Sequence, residues 1–195
     1  MPPIQERRGE KIHSRRIAIE SWAASDGIVV EGRLHDERLA ETYAMSGARR
    51  PPGTIHDMIL RLHVTGPPLV VADAEAELPG VPYEDCRETV ESARAVVGMP
   101  IRSGFTEAAK RRLGGPRGCA HLTALLLAMA PAAVQGFWTL RAVRPLRVDA
   151  AAAAALEHYL IDTCRVWRRD GPRARSLLAA AAGRKNADDR EPRGE

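Results

Sequence analysis

Residues 12–38 read IHSRRIAIESWAASDGIVVEGRLHDER. Apolar side chains alternate with polar ones around Ile17 and Ile19, and again around Ile28 and Val30, with Ser25, Asp26 and Gly27 between the two runs. A period of two on either side of a short Ser-Asp-Gly link is the pattern of strand, tight turn, strand. This hairpin decides the fold class, because the chain beyond Arg38 repeats the pattern once and then abandons it.

RRPPGT at 49–54 interrupts the chain before IHDMILRLHV at 55–64, and GPP at 66–68 turns it into LVVADAEAEL at 69–78, which predicts a second hairpin. After Pro82 the apolar period lengthens. Helices are expected over YEDCRETVESARAVVG at 83–98, over GFTEAAKRRLGG at 104–115 and over CAHLTALLLAMAPAAVQGFW at 119–138, the last strained at Pro131. A final helix is expected over 148–169, with Asp149 near its start and arginines at its end, as the helix dipole favours. Strands first and helices after make an α+β domain: an antiparallel sheet from two N-terminal hairpins packed against C-terminal helices.

A chain of 195 residues, 45% hydrophobic, buries a core without needing disulfides, so one domain is expected over 12–183. Residues 1–11 and 184–195 are polar and charged and are expected to be flexible tails. The three cysteines, Cys86, Cys119 and Cys164, are widely separated. Neither a secretory signal nor an apolar run long enough to span a bilayer is read beside them, which points to the cytoplasm and away from membranes. The net charge of +4 raises the question of nucleic acid, but aromatics are only 4% and no zinc-finger, recognition-helix or RNA-platform pattern is present, so nucleic acid is not the expected partner.

The chemistry-bearing residues cluster in a few places. Cys119 falls at the head of a helix behind Gly114, Gly115 and Gly118, with Arg117 two positions before it, and both the helix dipole and the arginine favour a thiolate. His121 follows two positions later, and the pair reaches one ion only if Cys119 still lies in the turn. His56 and Asp57 open a strand, and Cys86 opens a helix. His56, Asp57, Cys86, Cys119 and His121 together form a mixed nitrogen, oxygen and sulfur set of the kind zinc or iron accepts, although without the paired spacing of a zinc ribbon. His13, beside Arg15 and Arg16, could stand at a rim where arginines hold a carboxylate or phosphate. His35, His63, His158 and Cys164 read as ordinary packing or surface residues.

Several segments, HSRRI, SDG, LHDERL, IHDM, VPYEDC, VVGMPIRSGF and LGGPRGCAHL, occur in the order characteristic of an uncharacterised bacterial family, domain of unknown function 2889, which the chain resembles over roughly residues 12–140. It departs from the family pattern in carrying GCAHL where GCTHL is expected and HDER where a lysine is usual. More distantly it resembles the NifU/IscU-like iron–sulfur scaffold fold. There, His56 and Asp57 take the place of a cysteine-glycine-aspartate turn, and Cys86 and Cys119 match the second and last scaffold cysteines. His121 follows its cysteine, whereas the scaffold histidine precedes it. The resemblance implies an ion held by His56, Cys86, Cys119 and His121, and, with imidazole in place of one thiolate, a mononuclear centre rather than a cluster.

Three functions are therefore in view. The first is a metal-dependent lyase, isomerase or hydrolase using zinc or iron on a small organic acid or carbonyl compound. In it Asp57 moves a proton, Cys119 is catalytic, and Arg117 or Arg102 holds an anionic substrate. The second is a carrier of metal, sulfur or an iron–sulfur cluster, and the third is a structural domain with inert cysteines.

Overall fold

A computed structural model describes residues 3–143 and 150–188. Strands β1 (His13–Ala24) and β2 (Gly27–Arg38) pair antiparallel across a two-residue link, as the alternation predicts. Strands β3 (Thr42–Tyr43) and β4 (Arg49–Arg50) form a small separate hairpin that the alternation pattern does not reveal. Strands β5 (Gly53–Thr65) and β6 (Val70–Gly80) are the second long hairpin, and the main sheet runs β1-β2-β5-β6. The domain is α+β, an antiparallel sheet packed against C-terminal helices.

One face of the sheet is apolar because the even-numbered residues of its two central strands are: Ile28, Val30 and Leu34 on β2, with Met58, Leu60, Leu62 and Val64 on β5, are all buried. Helix α2 (Ala120–Arg141) lies on that face and buries Leu122, Leu125, Leu126, Met129, Ala133 and Phe137. The helix sits close. A Cβ on Gly32 would fall 2.7 Å from Met129 Sδ and 2.9 Å from Leu125 Cδ1, so the missing side chain is what lets α2 approach the middle of β2. The opposite face is wet and carries ion pairs, among them Arg61 with Glu31, Glu75 and Glu77, and His63 with Asp26.

Helix α1 (Phe105–Leu113) adds Phe105, Ala109 and Leu113 to the core, four residues apart on one stripe. The segment Glu84–Val96, expected to be α-helical, winds instead as a 3₁₀ helix. Its inward residues explain the difference. Val90, Ala93 and Val96, continued by Met99, recur every third position, the repeat of a three-residue turn. Pro131 does not end α2, which continues for ten residues beyond it.

The expected last helix is shorter than its composition suggests. Helix α3 (Ala150–Leu160) stops before Asp162, which takes a left-handed φ of 60° and whose carboxylate accepts the Arg169 N–H at 2.8 Å. Asp149 lies outside the described residues. Tyr159 fastens α3 to the sheet by accepting the Leu69 N–H at 2.6 Å. Helix α4 (Pro172–Asp188) comes next, with proline at its first position, and the helix runs into residues expected to form the charged tail. By length and a mean hydropathy of 1.4, α2 does qualify as a membrane-spanning candidate, contrary to the expectation from sequence, but here it is the helix that covers the sheet.

Candidate metal centre

Asp36 and His56 face each other across β2 and β5, at the end of the sheet where the pairing register shifts between Asp36 and Glu37. Both are even-numbered, so both side chains continue the apolar face toward α2, as polar residues at the end of an apolar row. Irregular pairing of this kind re-aims side chains at sheet ends. His121, in the first turn of α2, meets His56 there, with ring centroids 3.8 Å apart and planes inclined by 34°.

Asp36 is buried to 2% side-chain exposure and is fully engaged. Arg15, opposite it on β1, donates from Nε to Oδ1 at 2.6 Å and from a terminal nitrogen to Oδ2 at 2.5 Å. This fork holds the Asp36 carboxyl down at about 2, with the neighbouring His56 contributing and desolvation opposing. Because Asp36 is a carboxylate, the 2.9 Å contact between its Oδ2 and His56 Nδ1 is donated by the imidazole, and in the neutral ring the lone pair is then on Nε2. His13 Nε2 stands 3.7 Å from Oδ1, at the open side.

Burial pushes the His121 pKa down, and the neighbouring His56 and Arg15 push it further, so its ring stays neutral and keeps a lone pair. Cys119 caps the N-terminus of α2 in an extended conformation, still within the turn as simultaneous reach requires, and its Sγ is 3.8 Å from His121 Nδ1. The turn is tight: a Cβ on Gly118 would lie 2.6 Å from the Leu113 carbonyl oxygen, and Thr123 Oγ1 ties the same stretch together by donating to the carbonyls of Cys119 and Leu113. Asp36, His56 and His121 each offer one ligand atom, all within 4.8 Å of one another.

Of the residues that the sequence singles out, His56, His121 and Cys119 come together here. Asp57 does not. Adjacent strand residues point to opposite faces, and Asp57 lies on the wet face, where the Arg33 guanidinium binds both its oxygens at 2.8 and 2.6 Å and His35 stands at 3.8 Å. The Arg33 fork holds its carboxyl below the usual range. Cys86 sits half-buried at the start of the 3₁₀ segment and is outside the three-residue group. Arg117 is exposed in the turn before Cys119, and Arg102 lines a separate hollow with His158 and Tyr159. Motif and spacing do not single out Asp36, and they mark the Arg15 region only as a rim. The signal for Asp36 is its place in the even-numbered row Ile28, Val30, Gly32, Leu34.

The family model "Protein of unknown function (DUF2889)" matches residues 13–135. The chain belongs to this family. The DUF2889 match begins at the first residue of β1 and ends within α2, so it takes in the whole sheet together with Arg15, Asp36, His56, Cys119 and His121, and leaves out α3 and α4. No curated protein and no solved structure matches this DUF2889 chain.

Proposed function

We propose that this chain is a small cytosolic metal-dependent enzyme in which Asp36, His56 and His121 hold a divalent ion, zinc or iron. The observation that carries the reading is the convergence of three ligand atoms within 4.8 Å from three elements, β2, β5 and α2. Two histidines and one carboxylate are a set that zinc and ferrous iron both accept, with positions left for water or substrate. Arg15 keeps Asp36 anionic and oriented, and burial keeps His121 unprotonated, so these two donors are in the ionisation states that an ion requires.

An ion bound there supplies Lewis acidity toward a carbonyl or water oxygen. The remaining work falls to the chain. Cys119, at the head of α2 and beside His121, is placed to move a proton at the ligands, a role the far-side position of Asp57 leaves open. Arg15, with 40% of its side chain exposed, and Arg117 before Cys119 give the open side positive charge, and His13 stands there as a hydrogen-bonding group. That charge suits a small anionic substrate, an organic acid or carbonyl compound, in lyase, isomerase or hydrolase chemistry of a bacterial catabolic or biosynthetic pathway.

The test is metal content after loading with zinc or, anaerobically, with ferrous iron, followed by desalting. One ion per chain is expected in the wild type, in Asp57→Asn and in Cys86→Ser, and loss of it in His56→Ala, His121→Ala and Asp36→Ala. A wild type that retains no ion, or an ion indifferent to those three changes, overturns the proposal.

A second reading, a carrier of sulfur, metal or an iron–sulfur cluster, is favoured by the Cys119–His121 contact alone. The scaffold-like version of it requires Cys86 at the centre. Persulfide or labile brown cargo lost in Cys119→Ser, with no stoichiometric ion on the histidines, is the result that selects it.

A further inference from the structure

Strand β1 is an edge of the main sheet, twelve residues long and paired to β2 without a break in register. On its other side no segment among the described residues pairs with its backbone. Natural edges are commonly blunted by proline, a bulge, a covering segment or an inward charge. The opposite edge, β6, has such devices: Pro79 near its end, register shifts along its length, and the Met99–Ile101 stretch hydrogen-bonded over its start through Val71 and Leu69. From Ile17 to Ala24, β1 has none of them among the described residues, and nearer its start the inward charge of Arg15 is taken up by Asp36.

We propose that β1 pairs antiparallel with β1 of a second copy of this chain, about a twofold axis through Ala18, joining two sheets into one. The sequence of the strand is complementary to itself in that register. Arg16 falls opposite Glu20 of the partner and Glu20 opposite the partner's Arg16. On the other face Ile17 meets Ile19 of the partner, and again reciprocally. Small Ala18 meets itself at the axis, where a larger side chain would crowd.

Two features of the single chain fit this occupant. Glu20 stands beside Glu31 across the β1–β2 pair, a like-charge neighbour, and has no ion-pair partner among the described residues, while Arg61 already holds Glu31. A cation delivered to the edge relieves that repulsion. Arg16 is 62% exposed, and its ion pair among the described residues is with Glu37, at 3.4 Å. Ile17 and Trp22 are 42% and 47% exposed on the same strand, apolar surface that a neighbouring strand covers. Backbone hydrogen bonds supply the affinity of such pairing, and the side chains fix its register. The inference does not rest on the metal reading, and in this register His13 and Arg15 lie opposite Ala23 and Ser21 of the second copy.

Sedimentation equilibrium of the full chain tests it, with circular dichroism confirming that each variant is folded. A dimer is expected in the micromolar range. Arg16→Glu alone and Glu20→Arg alone each place like charges at both symmetric positions and weaken it by roughly tenfold or more, and the double exchange restores it. A wild type that stays monomeric at a hundred-micromolar concentration overturns the proposal. So does a dimer that ignores the single reversals, or one that the double exchange fails to restore.

Discussion

Asp36 answers two neighbours at once: it takes both prongs of the Arg15 guanidinium and the Nδ1–H of His56, with 2% of its side chain exposed. Its charge is tolerable in that setting only because it is paired. With its folded pKa at about 2, below the value of the free carboxyl, Asp36 stabilises the fold fully above the unfolded pKa, and that contribution is lost as pH falls through the folded one. Urea unfolding of metal-free protein should therefore lose roughly 2 kcal/mol attributable to Asp36 between about pH 4 and pH 2, a loss that Asp36→Asn does not show. Arg15→Met removes both short hydrogen bonds of the guanidinium to the carboxylate and should cost about 1–3 kcal/mol of stability by the same measurement. Trp138 is the opposite case. Its Nε1–H is buried with no partner among the described residues, so Trp138→Phe removes an unsatisfied donor and should change the melting free energy by less than about 0.5 kcal/mol, or raise it.

At the scale of elements, alternation along β2 and β5 decides which residues can meet. The parity that places Ile28, Val30 and Leu34 in the core also places Asp36 over α2, and the parity that buries Met58 and Leu60 does the same for His56 while sending Asp57 to the wet face. Both long hairpins and the covering helix are legible in the sequence for this reason, and the side of the sheet that His56 faces is legible with them. The features that stay hidden depend on the backbone conformation of single positions. The approach of Cys119 to His121 depends on the turn around Gly118, and the early stop of α3 on one left-handed aspartate. The 3₁₀ winding of Glu84–Val96 is readable in principle from its three-residue apolar repeat, which a search for helical periodicity near 3.6 passes over. Gly32 tests the seam itself. Gly32→Val would push Met129 and Leu125 off the sheet, and thermal unfolding should show a loss of about 1–3 kcal/mol together with weakened metal retention, because His121 rides on the same helix.

Over the whole molecule, the line Arg15, Asp36, His56, His121 crosses from the first strand to the long helix through residues scattered along more than half of the chain. No short peptide of this sequence contains it, so nothing resembling the centre exists before the sheet has closed and α2 has docked. An ion seated there acts as a late stitch between layers already formed. It should slow unfolding far more than it hastens folding, and it should protect the amide protons of β1 and of the first turn of α2 together, so that exchange at the two ends of the line rises and falls in step.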